Sequence, residues 1–308
     1  MAGEAISVQG RARVAERAIA AGSPYLLIAP ALLFMAAVSV YPLFYGVRAS
    51  LAEYKYGREL GFQGLDNYRR VLADDVFWQA MYVTLRFVLI AVTLETILGV
   101  ALAVLLSRDL RFAGLIRTGL IIPMTVAPVV VGIVWRLIYA SDVGIVNPLF
   151  RVAGLTPPDV LSHGTSAFLG LVAVDVWEWT PLIMLIVLAG LHGLPREPIE
   201  GARVDGASEL RVFFDHTLPL VRPVLLVAII LRTIDAIGTF DQVFVLTKGG
   251  PGTSTQLIAI YGYNTAFRFS QYGQASAMML LVLVGMSVLL VAAIRTIRGA
   301  AKKATGAA

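Results

Sequence analysis

Residue types that define several common protein classes are absent or scarce in this chain of 308 residues. It has no cysteine, which excludes disulfides, zinc–thiolate sites and thiol catalysis. Its three histidines, His163, His192 and His216, lie far apart in sequence, so a histidine metal cluster is not expected. Charged residues make up only 15% of the chain, whereas a soluble domain carries about 25%. Together these figures exclude a disordered chain and a nucleic-acid-binding module.

Apolar residues, in contrast, make up 58% of the sequence. Because the hydrocarbon core of a bilayer is about 30 Å thick, a spanning helix needs about 20 predominantly apolar residues. Six segments meet this requirement, and the sequence therefore predicts an all-α membrane protein whose transmembrane domain covers residues 24–294. The predicted spans are residues 24–47, 81–107, 115–139, 166–191, 221–246 and 276–294.

The two ends of the chain are short and basic, and they set the predicted orientation. The N-terminal tail, residues 1–23, contains Arg11, Arg13 and Arg17, and the C-terminal tail, residues 295–308, begins at Arg295. Lys and Arg concentrate on the cytoplasmic side of membrane proteins, so both termini are expected in the cytoplasm. This requires an even number of spans, which six satisfies.

Several ionisable side chains fall inside the predicted spans. Each costs about 2.5–3.5 kcal/mol at the bilayer centre, so it should face the helix bundle or a wet cavity. Glu95 lies nine residues after Arg86, on the opposite helix face, and so needs a partner from another helix. Arg232 and Asp235 are three residues apart and can pair on one face.

A second group of polar and aromatic residues suggests a ligand. Asp175 and Glu178 share a helix face, where two carboxylates repel unless a cation, a donor or water intervenes. Tryptophans beside such carboxylates suit a polyhydroxylated ligand, but they are equally typical of a membrane-interface belt, and a proton relay through the carboxylates is a third interpretation. The candidate pathway residues are Glu95, Trp135, Asp175, Trp177, Glu178, Trp179, Arg232, Asp235 and Asp241.

The segment between the fourth and fifth spans, residues 192–220, has a distinct local pattern. Pro198 suits the first turn of a helix, and Asp205-Gly206 indicates a turn. A second helix is predicted from Ala207 and is expected to end at Pro219. Two short helices with an exposed apolar edge could seat in a groove of a partner protein, although a packed loop without a partner would show the same composition.

Two motifs in this half of the chain carry a family resemblance. Glu200-x-Ala202-x-x-Asp205-Gly206-Ala207, followed by Leu218-Pro219, resembles the EAA motif of ATP-binding-cassette (ABC) importer permeases, with Gly201 where that motif usually has Ala. The run from Phe240 to Pro251, which ends in Gly249-Gly250-Pro251, resembles the outer segment of the carbohydrate-specific branch. That branch includes maltose, trehalose, glycerol-3-phosphate and polyol permeases.

The resemblance implies a type I importer permease fold in the plasma (inner) membrane of a bacterium or archaeon. It implies that residues 192–220 dock on a cytoplasmic ATPase, with Glu200 contacting that ATPase or holding the loop in shape and Gly206 allowing the turn. It also implies a second, distinct permease subunit, two ATPase subunits and an extracytoplasmic solute-binding protein. Solute would cross by alternating access, and the chain itself would be no enzyme.

The absence of a nucleotide-binding motif is consistent with a separate ATPase subunit. The sequence contains no G-x-x-x-x-G-K-[ST] segment, so no cofactor is expected in this chain, and ATP and Mg would belong to the ATPase. An ion-coupled secondary transporter that works without an ATPase is the alternative. An intramembrane enzyme is disfavoured, because the chain has neither an H-E-x-x-H nor a G-x-S-x-G motif.

Overall fold

The computed structural model describes residues 28–55, 57–108, 111–156 and 158–305, with side chains described as far as residue 295 apart from residue 293. The predicted N-terminal tail, residues 1–23, lies outside this part of the chain. The fold is helical throughout, with one small hairpin. Its long helices are α1 (Ile28–Ser50), α3 (Asp75–Leu106), α7 (Gly164–His192) and α13 (Tyr272–Thr305).

Shorter elements connect and cover these helices. They are β1 (Ala52–Lys55), β2 (Arg58–Phe62), α2 (Asp66–Leu72), α4 (Ala113–Thr125), α5 (Pro128–Tyr139), α6 (Val146–Val152), α8 (Glu197–Val204), α9 (Glu209–Val212), α10 (Leu218–Ile237), α11 (Asp241–Leu246) and α12 (Ile258–Tyr263). Turns of π-helix occur at Ala36–Val40, Phe213–Thr217 and Asn264–Arg268.

Helices α3 and α7 form the centre of the molecule and pack together more extensively than any other pair of described elements. The carboxylate of Asp74 caps α3 by accepting a 2.9 Å hydrogen bond from the amide of Val76. Gly99 lets the two helices approach closely, because a Cβ atom there would lie 2.9 Å from Ile183. Phe87, at the centre of α3, is fully buried in the largest apolar cluster.

Four helices of the described chain are long and apolar enough to cross a membrane, and a fifth span is possible if α4 and α5 act together. These two helices meet at 97°, so the span predicted over residues 115–139 is not one continuous helix but a bent pair. The cause is Pro128, because a residue that precedes proline avoids the helical conformation. Val126 and Ala127 are accordingly extended and separate the two helices.

The predicted span over residues 221–246 is also interrupted. Helix α10 ends at Ile237, and Asp241 begins the separate helix α11. The expectation that Pro219 ends the preceding helix is wrong as well. Helix α9 continues through the π turn into α10, and Pro219, which has no amide hydrogen, lies directly after that turn instead of ending the helix.

The antiparallel hairpin of β1 and β2 follows α1 and is a departure from the all-α prediction. Asn67 of α2 fixes it to the end of α1 by donating to the carbonyl oxygens of Ser50 and Ala52, at 2.8 and 2.9 Å. At the other end of the chain, α13 continues to Thr305, past the predicted boundary between residues 294 and 295.

Candidate functional site

A buried charge cluster joins three of the helices. Arg232 of α10 is fully buried, and its Nε and Nη2 atoms donate to the two carboxylate oxygens of Glu95 in α3, at 2.8 and 3.1 Å. Its Nη1 atom donates to Asp235 at 3.0 Å, and Nη2 also donates to Asp175 of α7. The predicted pairing of Arg232 with Asp235 is confirmed, as is the need of Glu95 for a partner on another helix.

Two further side chains complete this cluster. Gln242 of α11 is buried, and its amide nitrogen donates to Asp175 at 2.5 Å. The guanidinium carbon of Arg232 lies 5.3 Å from the centre of the Trp179 ring, within cation–π range. Sequence reasoning missed Gln242 and chose its neighbour Asp241, which is exposed at the start of α11. Gln242 belongs to the run from Phe240 to Pro251 that carries the family resemblance, and this position was the sequence signal that could have identified it.

Glu178 differs from the other carboxylates in the cluster. It is buried on α7, yet neither of its oxygens has a hydrogen-bond partner among the described residues, and the same holds for the side-chain oxygen of Gln242. Leaving buried polar groups unpaired costs about 1–3 kcal/mol each. These oxygens are hydrogen-bond acceptors and could receive hydroxyl hydrogens.

The predicted tryptophans lie in two places. Trp135 of α5 and Trp177 of α7 contact each other edge to face at 5.4 Å, and Trp177 is partly exposed. Trp179 instead faces Arg232. The fold thus brings together Glu95, Asp175, Arg232, Asp235 and Trp179 and places Trp135 beside Trp177, whereas Asp241 is exposed and makes no side-chain hydrogen bond or ion pair within the described residues.

The segment from α8 to α9 has a preformed turn. Gly206 adopts a φ of +80°, and the amide of Ala207 donates to the carbonyl oxygen of Ala202 at 3.0 Å. The Nε and Nη2 atoms of Arg203 donate to the Glu209 carboxylate, at 2.9 and 3.2 Å, and so join α8 to α9. This clamp was not predicted, because its residues are six apart across a turn.

This segment exposes apolar side chains at its surface. Val204, Leu210 and Phe214 are all exposed, in agreement with the predicted apolar edge. Glu200 is exposed and makes no side-chain hydrogen bond within the described chain, whereas Ala202 is buried. A cavity of about 920 Å³ lies between this segment, including Leu218, and the ends of α3 and α7.

The segment Gly249-Gly250-Pro251 forms a compact turn. The Thr255 hydroxyl contacts the Thr247 hydroxyl at 2.7 Å and donates to the carbonyl oxygen of Gly250 at 2.8 Å. Gln79, near the start of α3, donates to the Thr253 hydroxyl at 2.6 Å. At the other end of α3, Arg108 lies 3.8 Å from Glu209. The turn and the α8–α9 segment therefore lie at opposite ends of a helix about 48 Å long.

Comparison with known proteins defines the class. Residues 95–300 match the family described as the binding-protein-dependent transport system inner membrane component. The chain belongs to this family and is the permease component of an ABC importer. This membership favours an importer over an ion-coupled secondary transporter.

Two similar proteins are permeases of trehalose or trehalose/maltose transport systems. The chain is 39% identical to the trehalose/maltose transport system permease protein MalF of Thermococcus litoralis, over 84% of this chain and 88% of that protein. It is 35% identical to the trehalose transport system permease protein SugA of Mycobacterium tuberculosis, over 88% and 85%.

A solved structure shows the same fold. A bacterial ABC transporter involved in the import of the acidic polysaccharide alginate superimposes with a TM-score of 0.80 at 18% identity, over 92% of this chain and 97% of that chain. The likeness establishes the type I importer permease fold.

Proposed function

We propose that this chain forms half of the solute pathway of an ATP-driven sugar importer. The solute would be an oligosaccharide of the trehalose or maltose type, a polyol or glycerol-3-phosphate, moved by alternating access between two global states. The main support for this proposal is the structure of the α8–α9 segment. It combines a preformed turn, an Arg203–Glu209 clamp and an exposed apolar edge. These features suit a rigid element that seats in a groove of a separate protein.

The proposed topology has six spans and cytoplasmic termini. Helices α4 and α5 would together make one span, and α10 would make another although it carries Arg222, Arg232 and Asp235. The insertion cost of α10 is reduced because Arg232 is paired with buried carboxylates of two other helices. This arrangement places the α8–α9 segment in the cytoplasm and the Gly249–Pro251 turn on the outer side.

The proposed assembly contains a second, distinct permease, two cytoplasmic ATPase subunits that bind ATP and Mg, and an extracytoplasmic solute-binding protein. It lies in a bacterial or archaeal plasma membrane. Glu200 is available for contact with the ATPase, because its carboxylate is exposed and has no partner in the described chain. Hydrolysis would take place outside this polypeptide, which would hold no cofactor of its own.

In the proposed pathway, Glu178 and the free oxygen of Gln242 accept hydrogen bonds from sugar hydroxyls. Trp177 and Trp135 would cover the apolar faces of the sugar. The charge cluster around Arg232 would hold α3, α7 and α10 together while solute passes.

Reconstitution tests this function directly. The chain is placed in vesicles with the second permease, the ATPases and the binding protein, and uptake of trehalose, maltose and glycerol-3-phosphate is measured with and without ATP. Glu200→Lys should insert normally but lower solute-stimulated ATP hydrolysis. Glu197→Lys is the matched control, since both carboxylates lie in the first turn of α8.

Equal losses of ATP hydrolysis in the two variants would show that the effect comes from the changed charge near the helix terminus. Docking of Glu200 on the ATPase would then be contradicted. Uptake by the purified chain alone, driven by an ion gradient, would contradict an ATP-driven mechanism.

A further inference from the structure

Six aromatic rings form a continuous series that none of the features above explains. We define the aromatic strip as Tyr54, Phe240, Phe244, Tyr263, Phe267 and Tyr272. Phe240 contacts Tyr263 at 5.1 Å, Tyr263 contacts Phe267 at 5.1 Å, and Phe267 contacts Tyr272 at 6.1 Å. Tyr272 then reaches Tyr54 of the hairpin at 5.7 Å, and Phe244 lies beside Phe240 and Tyr263.

The strip joins the buried site to the hairpin end of the molecule. Phe240 is two residues from Gln242, whose amide binds Asp175 in the charge cluster. Tyr54 lies in β1, which α2 holds against the end of α1. The proposed topology puts this end on the outer side of the membrane. The rings therefore lie between the surface that a binding protein would approach and the site around Glu178.

The rings are only partly covered: Phe240 and Phe244 pack against the largest apolar cluster, and the other rings of the strip lie outside it. None of the six is fully buried, and the Phe267 side chain is 64% exposed. Successive rings along the path from Phe240 to Tyr54 are tilted by 40° to 83°, so they do not stack face to face and hide one another.

The strip also offers polar groups at intervals. The hydroxyls of Tyr263 and Tyr272 make no hydrogen bond within the described chain. The hydroxyl of Tyr54 instead donates to the Glu59 carboxylate at 3.3 Å, and burial and the neighbouring Tyr45 raise the pKa of Tyr54 to about 12. Rings with interspersed hydroxyls match a sugar, which has apolar C–H faces and a rim of hydroxyl groups.

We propose that the aromatic strip is a binding track for sugar rings, which carries the solute from the outer face to the buried acceptors Glu178 and Gln242. The inference rests on the proposed function and extends it to a second set of contacts. Sugar rings stack on successive aromatic faces and exchange hydrogen bonds with the tyrosine hydroxyls, so that the solute moves in short steps without entering bulk water.

A matched pair of phenylalanines tests the track. Phe267 and Phe269 are 64% and 63% exposed and two residues apart, but only Phe267 contacts another ring of the described chain. In the reconstituted importer, Phe267→Leu should raise the half-saturating concentration of trehalose- or maltose-loaded binding protein by about 3- to 10-fold. Phe267→Tyr should retain normal uptake, and Phe269→Leu should leave uptake unchanged.

A second measurement is independent of uptake and uses the absence of cysteine from the chain. Phe267→Cys and Phe269→Cys are labelled in the assembled importer with a membrane-impermeant thiol reagent. Binding protein loaded with trehalose or maltose, compared with unloaded binding protein, should slow labelling at position 267 several-fold and leave position 269 unchanged.

Equal behaviour of the two positions, in uptake and in labelling, would overturn the track and show that the strip only packs against lipid or another subunit. In that case wild-type uptake of trehalose or maltose would still support the proposed function. A wild-type importer that takes up neither sugar would instead overturn both the sugar assignment and the track.

Discussion

At the scale of single residues, Arg232 is the centre of the buried charge cluster. One buried guanidinium satisfies carboxylates from three helices, and these differ sharply in their surroundings. The side chains of Glu95 and Asp175 are fully buried, whereas that of Asp235 is 54% exposed. Removing one partner of a buried ion pair leaves an uncompensated charge and is far more costly than removing an exposed partner.

The three carboxylates should therefore differ in their effect on stability. Glu95→Ala is expected to destabilise the protein by about 3–5 kcal/mol, because Arg232 loses two buried hydrogen bonds. Asp235→Ala should cost about 1 kcal/mol or less, since water can replace an exposed carboxylate. Thermal unfolding of the purified importer in detergent measures both, and equal midpoint shifts would refute the buried cluster.

Glu178 should behave in the opposite way. Its oxygens have no partner in the described chain, so Glu178→Gln loses no contact and should leave assembly and thermal stability unchanged or slightly improved. Sugar uptake should nevertheless fall, because an acceptor along the pathway is lost. Asp175→Asn, which disturbs Arg232, is the comparison and should lower stability. A loss of assembly in Glu178→Gln would indicate a structural role instead.

Local spacing was enough to predict part of this cluster. Three residues of separation placed Asp235 beside Arg232, and the helix period showed that Glu95 must pair with another helix. The contacts of Asp175 with Arg232 and Gln242 could not be predicted, because they join α7 to α10 and α11, which are distant in sequence. Their positions depend on how the helices pack.

At the scale of elements, proline and glycine explain both the successful and the wrong predictions. Apolar content indicated where helices lie but not where they break. The bend before Pro128 and the interruption after Ile237 divide two apolar runs that composition alone reads as continuous. In the α8–α9 segment the turn residues were informative, because Gly206 has the positive φ that the turn requires.

The two glycines of this segment therefore make a matched comparison. Gly206 has a φ of +80°, which alanine adopts only with strain and proline cannot adopt. Gly201 lies within α8, and a Cβ atom there would meet nothing within 4 Å. We expect Gly206→Ala to lower solute-stimulated ATP hydrolysis and Gly206→Pro to lower it further. Both variants should still insert into the membrane.

Gly201→Ala should instead stabilise α8 by about 0.5–1 kcal/mol and maintain or raise coupling. Hydrolysis by the reconstituted importer, measured with loaded and unloaded binding protein, gives the comparison. Unchanged coupling in Gly206→Pro would count against docking of this segment on the ATPase.

At the scale of the whole molecule, the α8–α9 segment and the Gly249–Pro251 turn lie near opposite ends of α3. Family membership identifies the chain as an inner membrane component, and α3, about 48 Å long, is one of the described helices long and apolar enough to cross that membrane. The proposed six-span topology assigns the α8–α9 end to the cytoplasm. Both ends of the molecule expose apolar side chains that serve as probes of this assignment.

Cysteine labelling of intact cells can establish the orientation, because the native chain has no thiol to interfere. Phe62 of the hairpin is 81% exposed and Val204 of α8 is 87% exposed, so neither substitution removes buried contacts. A membrane-impermeant thiol reagent should label Phe62→Cys in intact cells and Val204→Cys only after the membrane is opened. The reverse pattern would place the α8–α9 segment outside, where no ATPase can reach it. Labelling of both positions in intact cells would contradict the six-span topology, because an odd number of spans must separate residues 62 and 204 if they lie on opposite sides.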